Sequence, residues 1–188
     1  AIAAGQSGKR ISIERLADIF LELQTKGANN INLVTPEHYA PSIALALAMA
    51  KAKGLHLPII CNCSGYSSLT ALRILSDHVN VWLPDFKYYS PELSRKYSHA
   101  PDYFTVACQA LQFMYKQAGD TVFDDNGIIQ KGIIVRHLTL PGCMEDSRKV
   151  IHYLHETYGD KIYISIMNQF TPVSELLSDY PELNHTIS

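Results

Sequence analysis

The stretch Val79-Asn80-Val81-Trp82-Leu83-Pro84-Asp85-Phe86-Lys87 gives the clearest indication of the fold. It begins as a run of β-branched and large apolar residues, which favours a strand that is buried on both faces. It then ends in an acid and a base, Asp85 and Lys87, which lie two residues apart. In an extended backbone their side chains point to the same face. A buried strand with charged side chains at its carboxyl end is typical of a parallel sheet with a ligand site there.

The same pattern of an apolar run, a polar turn and a helical stretch repeats along the chain. Strands that alternate with helices pair in parallel through right-handed crossovers, so the sequence predicts an α/β fold. A doubly wound open sheet and a barrel both give this alternation. The predicted strands span residues 30–34, 57–61, 79–83, 133 onward and 162–166, and a hairpin is expected around 124–127. The predicted helices span residues 12–26, 41–53, 67–77, 91–119 with a break near 98–101, and 145–158.

Polar side chains follow every one of these predicted strands, and this placement favours the barrel. In a (β/α) barrel the ligand site forms at the carboxyl ends of several strands at once. One polar strand end would be ordinary, whereas a complete set predicts a shared site. The ends are Thr35-Pro36-Glu37-His38, Asn62-Cys63-Ser64-Gly65, Asp85-Phe86-Lys87, Arg136-His137 and Asn168-Gln169.

The charged side chains at these ends each have two interpretations. Asp85 and Lys87 would form a structural ion pair, or they would bind the two ends of a zwitterionic ligand. Arg136 would be satisfied by a neighbouring carboxylate, or its planar fork would bind the carboxylate of a ligand. The sequence leaves these alternatives open.

Composition and charge exclude several classes of protein. The chain has 188 residues, 47% of them apolar, which is enough for one domain with a hydrophobic core. A net charge of −2 gives no sign of the clustered cations that bind nucleic acid or anionic membranes. No apolar run approaches the ~20 residues that span a bilayer. The first residues also lack the features of a signal peptide, which predicts a cytoplasmic protein.

The cysteines are spaced unlike the ligands of a metal. They form no CxxC pair and no three-cysteine cluster motif, which indicates structural thiols that stay reduced. They are Cys61, Cys63, Cys108 and Cys143.

Several of the strand ends resemble a known family of enzymes. The run 135–142, followed by residues 145–147, is similar to the segment written loosely as V-R-x-x-x-x-P-G-x-x-D-S in the activating enzymes of pyruvate formate-lyase. Residues 85–87 resemble their D-x-K motif, and residues 62–65 stand where they carry D-T-N-G. Residues 35–37 stand where radical S-adenosylmethionine (SAM) proteins carry G-G-E.

An uncharacterised branch of that family, called pyruvate formate-lyase activating enzyme-like, resembles the chain more closely still. Its members read much like residues 32–36, 83–89 and 167–172, and the resemblance covers essentially the whole chain. The resemblance implies a partial (β/α) TIM-like barrel of the radical SAM type that lacks its first strand.

The resemblance also implies an activity and its cofactors. Such enzymes hold a [4Fe–4S] cluster by three cysteines in CxxxCxxC and bind SAM to the fourth iron. Reductive cleavage of SAM gives a 5′-deoxyadenosyl radical, which in the namesake enzymes abstracts hydrogen from a glycine of a glycyl radical enzyme. An electron donor such as flavodoxin or ferredoxin is implied as a further partner.

By motif match, the residues that would bind SAM all lie at strand ends. Lys87 and Arg136 would face its carboxylate, and Glu37 would lie near its amine. Asp85 would hold Lys87 or a bound cation. The remaining residues are Asn62, where the family has an acid, and Asn168 or Gln169, which would reach the adenosine.

The chain departs from the family in the segments that bind the cluster and the amine. In the family the cysteine motif lies just before the stretch matched by Ala1–Gly8. We therefore expect a single domain over residues 1–188 that is truncated at both ends, has its cluster cysteines upstream of Ala1, and is inactive alone. Thr35 and Pro36 also replace two family glycines.

Two other classes of function stay open on the sequence. A Schiff-base lyase of the aldolase type would use a buried Lys87 as its amine, with Asp85 or His137 moving the proton. A non-catalytic barrel remnant would bind a partner and would not bind SAM.

Overall fold

The computed structural model describes residues 8–172 and 179–186. Within them, strands and helices alternate as the sequence predicts. The strands are β1 (Ile31–Val34), β2 (Ile59–Cys63), β3 (Val81–Pro84), β4 (Val122–Phe123), β5 (Ile129–Leu138) and β6 (Tyr163–Met167). The helices are α1 (Ile13–Thr25), α2 (Ala40–Ala52), α3 (Leu69–Ser76), α4 (Pro91–Ser98), α5 (Tyr103–Ala118) and α6 (Met144–Tyr158), with short 3₁₀ turns at Pro36–Tyr39, Gly159–Lys161 and Pro181–Leu183.

The helix boundaries follow from capping residues. Ser12 precedes α1 and its side chain accepts a hydrogen bond from the Arg15 amide at 3.2 Å. Ser90 caps α4 in the same way, and Pro91 occupies the first helical position, where its missing N–H costs nothing. The predicted helical region 91–119 divides into α4 and α5 because His99 adopts a left-handed conformation, with φ +53°.

The sheet is parallel, and its strands pair in the order of the chain. β1 pairs with β2, β2 with β3, β3 with β5, and β5 with β6. The short β4 pairs antiparallel with the start of β5, which confirms the hairpin predicted around 124–127. A doubly wound sheet reverses its strand order at a switch point, whereas this order has no reversal in the described residues. The α/β fold is therefore confirmed, and closure into a barrel stays a prediction.

The two faces of the sheet have different surroundings. Alternate side chains point to opposite faces, and one set packs under the helices to form the core. Its fully buried members from the strands are Ile59, Cys61, Trp82, Ile133 and Val135. The other set includes Asn62, Leu83 and Arg136, which are only partly buried.

The helices of the described segments cover this core. Each is too short or too polar to cross a lipid bilayer.

Candidate ligand site at the strand ends

Three of the predicted site residues are in direct contact at the carboxyl ends of β2, β3 and β5. Arg136 donates a hydrogen bond from Nε to Oδ1 of Asp85 at 2.9 Å, and its Nη2 lies 2.6 Å from the same oxygen as part of the ion pair. Its Nη2 also donates to Oδ1 of Asn62 at 2.8 Å. Residues that are 51 and 74 positions from Arg136 in sequence therefore meet because β2, β3 and β5 lie side by side in the parallel sheet.

Lys87 adds a second cation to this cluster. Its Nζ lies 3.9 Å from Oδ2 of Asp85, and its side chain is 42% exposed. Asp85 and Arg136 are 22% and 28% exposed, so solvent or a ligand reaches all three groups. Two cations surround one carboxylate, which leaves the cluster with one uncompensated positive charge.

Glu37 follows β1, the strand that pairs with β2. Its Oε1 accepts a hydrogen bond of 2.7 Å from the Ser67 hydroxyl, while its Oε2 is buried and has no hydrogen-bond partner among the described residues. The Thr35 amide donates to the Asn62 carbonyl at 2.8 Å, which ties this turn to the end of β2. In the residues described, no ion pair or hydrogen bond connects Glu37 directly with Asp85 or Arg136.

Thr35 has a left-handed backbone, with φ +50° and ψ +53°. Glycine adopts this conformation freely, whereas a β-branched residue does so only at a cost in strain. Thr35 stands where the sequence resemblance places a glycine, the residue that adopts this conformation most freely.

Asn168 and Gln169 follow β6 and are exposed. The Thr139 amide donates to the Met167 carbonyl at 2.9 Å, so β5 and β6 run side by side as far as this point. Within the described parts of the chain, neither side chain hydrogen-bonds to the other predicted site residues. Their proposed contact with adenosine stays a prediction.

Sequence reasoning did not find the residues that anchor the loop after β3. His137, which the sequence places at a polar strand end, is 1% exposed on the helix side of β5. Its Nδ1 donates to the Phe86 carbonyl at 2.7 Å, and its Nε2 pairs with the Ser147 hydroxyl at 2.9 Å. Asp146 accepts hydrogen bonds from the amides of Tyr89 and Ser90 at 3.0 and 2.8 Å.

The position of Asp146 and Ser147 in the family-like segment was the only signal of this anchoring role. Both side chains are buried, and their partners lie 56 and 10 residues away. Most of these partners are backbone groups, which a sequence pattern does not reveal.

The thiols do not fit an iron–sulfur cluster. Cys61 and Cys63 are buried on the helix side of β2, and a hydrogen bond between them, together with burial, raises the pKa of Cys61. Cys108 lies on α5 and Cys143 just before α6. In the segments that the structure describes, no three His, Cys, Asp or Glu side chains are grouped to hold a metal ion.

Comparisons with known proteins support the fold. No protein-family model matches the chain. An uncharacterized protein of Methanocaldococcus jannaschii, MJ0674, is 21% identical over 162 residues, which is 86% of this chain and 43% of that protein. The crystal structure of methylornithine synthase (PylB) superposes with a TM-score of 0.57 at 15% identity, over 85% of this chain and 45% of that one. The chain therefore spans less than half the length of either protein.

Proposed function

We propose that this chain is part of a radical SAM enzyme similar to the activating enzymes of pyruvate formate-lyase, and that Arg136 and Lys87 bind the carboxylate of SAM. The family-like strings at the strand ends support the proposal. So does the fold, because methylornithine synthase, which it resembles, is a radical SAM enzyme.

The observation that carries the proposal is the excess positive charge of the cluster formed by Asp85, Lys87 and Arg136. Nη1 of Arg136 has no hydrogen-bond partner among the described residues, so it remains available to an added acceptor. A carboxylate placed between Arg136 and Lys87 would neutralise the cluster through charge-assisted hydrogen bonds. Asn62 would hold the guanidinium in position from the other side.

The other groups of SAM find partners among the remaining predicted residues. By the motif match, Glu37 would lie near the methionyl ammonium, and the backbone groups around it would bind this ammonium. Asn168 and Gln169 lie at the end of the next strand, β6, and would contact the adenosine. The ligand would then extend along the carboxyl ends of the sheet from β1 to β6.

The proposal also includes an iron–sulfur cluster and a substrate. When bound to a reduced [4Fe–4S] cluster, SAM supplies a 5′-deoxyadenosyl radical. We propose that the cluster cysteines precede Ala1, because the thiols of this chain do not fit. A glycine of a glycyl radical enzyme is the proposed substrate, and flavodoxin or ferredoxin the proposed electron donor.

We also propose that the sheet is part of a (β/α) barrel. The unreversed strand order supports a barrel, and so does the placement of every predicted site residue at a carboxyl strand end. The further strands would come from sequence that flanks residues 1–188.

The test is to express the chain with the sequence that precedes Ala1 in its gene, and to reconstitute iron and sulfide without air. After reduction with dithionite the protein should convert SAM to 5′-deoxyadenosine, which is measured by chromatography. A loaded cluster that yields no nucleoside product would contradict the proposal.

The carboxylate site is tested separately by binding of SAM. Lys87→Ala and Arg136→Ala should each weaken SAM binding by about 1.5–3 kcal/mol, the usual contribution of a hydrogen bond to a charged group. Arg73→Ala is the matched control, since it removes an exposed cation on α3 and should leave the affinity unchanged. Equal affinities of all three variants would mean that Lys87 and Arg136 do not hold the carboxylate.

The Schiff-base alternative receives no support from the position of Lys87. It required a buried amine, whereas the Lys87 side chain is 42% exposed and faces Asp85. Borohydride trapping of carbonyl compounds on Lys87 remains its direct test.

A further inference from the structure

The hydroxyl of Tyr103 joins the loops that follow β2 and β3. Tyr103 begins α5 and is 2% exposed. Its oxygen accepts a hydrogen bond from the Lys87 amide at 3.0 Å and lies 2.9 Å from the Ser64 carbonyl and 3.1 Å from the Asp85 carbonyl. A hydroxyl has one hydrogen to donate, so the two carbonyls share it. One buried atom therefore fixes the backbone on both sides of Phe86.

Packing fixes the position of this hydroxyl. The Tyr103 ring meets Tyr88 and Phe86 edge-on, at centroid distances of 5.4 and 6.3 Å, and Tyr66 stacks on it at 6.0 Å. Edge-to-face contacts of this kind define ring orientation as well as distance. The ring is thus held independently of the hydrogen bonds that its hydroxyl makes.

The two loops touch directly beside the hydroxyl. A Cβ placed on Gly65 would lie 2.0 Å from the Asp85 carbonyl oxygen and 3.1 Å from Oη of Tyr103. Only a residue without a side chain allows the backbones to approach this closely. The contact brings the carbonyl of Asp85 under the hydroxyl of Tyr103.

We propose that Tyr103 is a positioning residue of the ligand site. Its hydroxyl holds the backbone at Asp85 and Lys87 so that the Asp85 carboxylate meets both Arg136 and Lys87 before a ligand arrives. A preorganised site binds its ligand more tightly, because fewer of its groups have to become ordered when the ligand binds. The choice of ligand rests on the function proposed above, whereas the anchoring of the loop does not.

Tyr103→Phe tests this role, because it keeps the ring and removes only the hydroxyl. In the protein expressed with its upstream sequence and a loaded cluster, SAM should bind about tenfold more weakly, as expected when one hydrogen-bond anchor is lost. The Lys87 amide should also exchange its hydrogen faster. Gly65→Ala displaces the same carbonyl while the hydroxyl stays, and should weaken SAM binding as well.

Tyr66→Phe is the matched control. Tyr66 stacks on Tyr103, but its hydroxyl donates to Oδ1 of Asp102 at 2.9 Å on the exposed surface. Its loss should change neither the SAM affinity nor the exchange of the Lys87 amide. This control separates the loss of the Tyr103 hydroxyl from the loss of any tyrosine hydroxyl in the same group of packed rings.

The outcomes distinguish this inference from the proposed function. If Tyr103→Phe binds SAM like the wild type, or if its Lys87 amide exchanges at the wild-type rate, Tyr103 is not a positioning residue. If the wild type binds no SAM while the variant still accelerates exchange at Lys87, the proposed function fails and the anchoring of Asp85 and Lys87 is supported.

Discussion

Asp85 is held by its backbone as well as by its carboxylate. Its amide donates to the Cys63 carbonyl at 2.9 Å, while its side chain accepts from Arg136. This ion pair is partly buried, so solvent and salt screen its attraction less than that of an exposed pair. The pair of Arg15 and Glu22 on α1 is the contrast, because both side chains are about half exposed.

The approach of Gly65 to Asp85 gives the first prediction, which concerns stability. Gly65→Ala should destabilise the protein by roughly 2–4 kcal/mol, because the new Cβ meets a carbonyl oxygen and the left-handed backbone is strained. Gly127→Ala is a matched control, since Gly127 has the same φ of +75° with nothing within 4 Å of its Cβ position. It should cost about 1 kcal/mol, from backbone strain alone. Urea unfolding checks both values, and equal losses would mean that the close contact is absent.

The sequence predicted the meeting of Asn62, Asp85 and Arg136 because the carboxyl ends of parallel strands share one edge of the sheet. It did not predict whether Arg136 pairs with a carboxylate of the protein or is free to bind the carboxylate of a ligand. In the structure the guanidinium pairs with a carboxylate of the protein and still has Nη1 directed to no described partner. The sequence also gives no sign of the role of Tyr103, because a tyrosine on an apolar helix face does not indicate which backbone groups it contacts.

Helix α5 contacts β3 and the loop that follows it through residues in the first and last turns of the helix. Tyr103 in its first turn contacts the loop after β3, and Gln117 in its last turn contacts the strand itself. The indole Nε1 of Trp82 donates to Oε1 of Gln117 at 2.6 Å. Nε2 of Gln117 donates in turn to the Ser76 carbonyl at 2.7 Å, so one side chain joins β3, α5 and the end of α3.

The second prediction concerns this connection. Gln117→Leu should cost about 2–4 kcal/mol, because it leaves a fully buried indole N–H and the Ser76 carbonyl without partners. Gln112→Leu, an exposed change on the same helix, should stay within about 0.5 kcal/mol. Trp82 is the only tryptophan in the sequence, so its fluorescence reports unfolding directly. Equal stabilities of the two variants would exclude this role of Gln117.

The 3₁₀ turn at Pro181–Leu183 packs on α4 through charged and aromatic groups. Glu182 accepts from Lys96 Nζ at 2.6 Å and from the Tyr97 hydroxyl at 2.9 Å. The Tyr180 hydroxyl donates to the Lys96 carbonyl at 3.0 Å. The Lys96 hydrogen bond is the largest of the causes that lower the pKa of Glu182 to about 2.

The third prediction is that acid releases this turn. A lowered carboxyl pKa stabilises the docked state above the ordinary value of 4.5, and this contribution is lost as the pH falls toward about 2. The ring signals of Tyr97 and Tyr180 in NMR spectra should therefore shift with a midpoint well below 4.5. Glu182→Gln should abolish the transition, and high salt should raise its midpoint because the pair is exposed. A midpoint at the ordinary value would mean that Lys96 does not bind Glu182 in solution.

At the scale of the whole molecule, the sequence predicted parallel strands, which the structure confirms, and their closure into a barrel, which stays a prediction. Alternation and apolar runs indicate which segments are strands, because these patterns are local. The neighbour of each strand depends on contacts between distant segments, so the order from β1 to β6 is visible only in the structure. Within the described residues β2 has a partner on each side, whereas β6 pairs with β5 alone.

The fourth prediction uses this difference to test the barrel. β2 and β6 each have five residues, and in the 188-residue chain the amides of β2 should exchange hydrogen more slowly, because both of its edges are paired. If flanking sequence supplies the further strands of a barrel, β6 should become protected in the longer protein while β2 stays unchanged. Mass spectrometry of peptides that cover the two strands measures both rates. Unchanged exchange of β6 in the longer protein would contradict closure at this edge, because a paired edge strand slows the exchange of its amides.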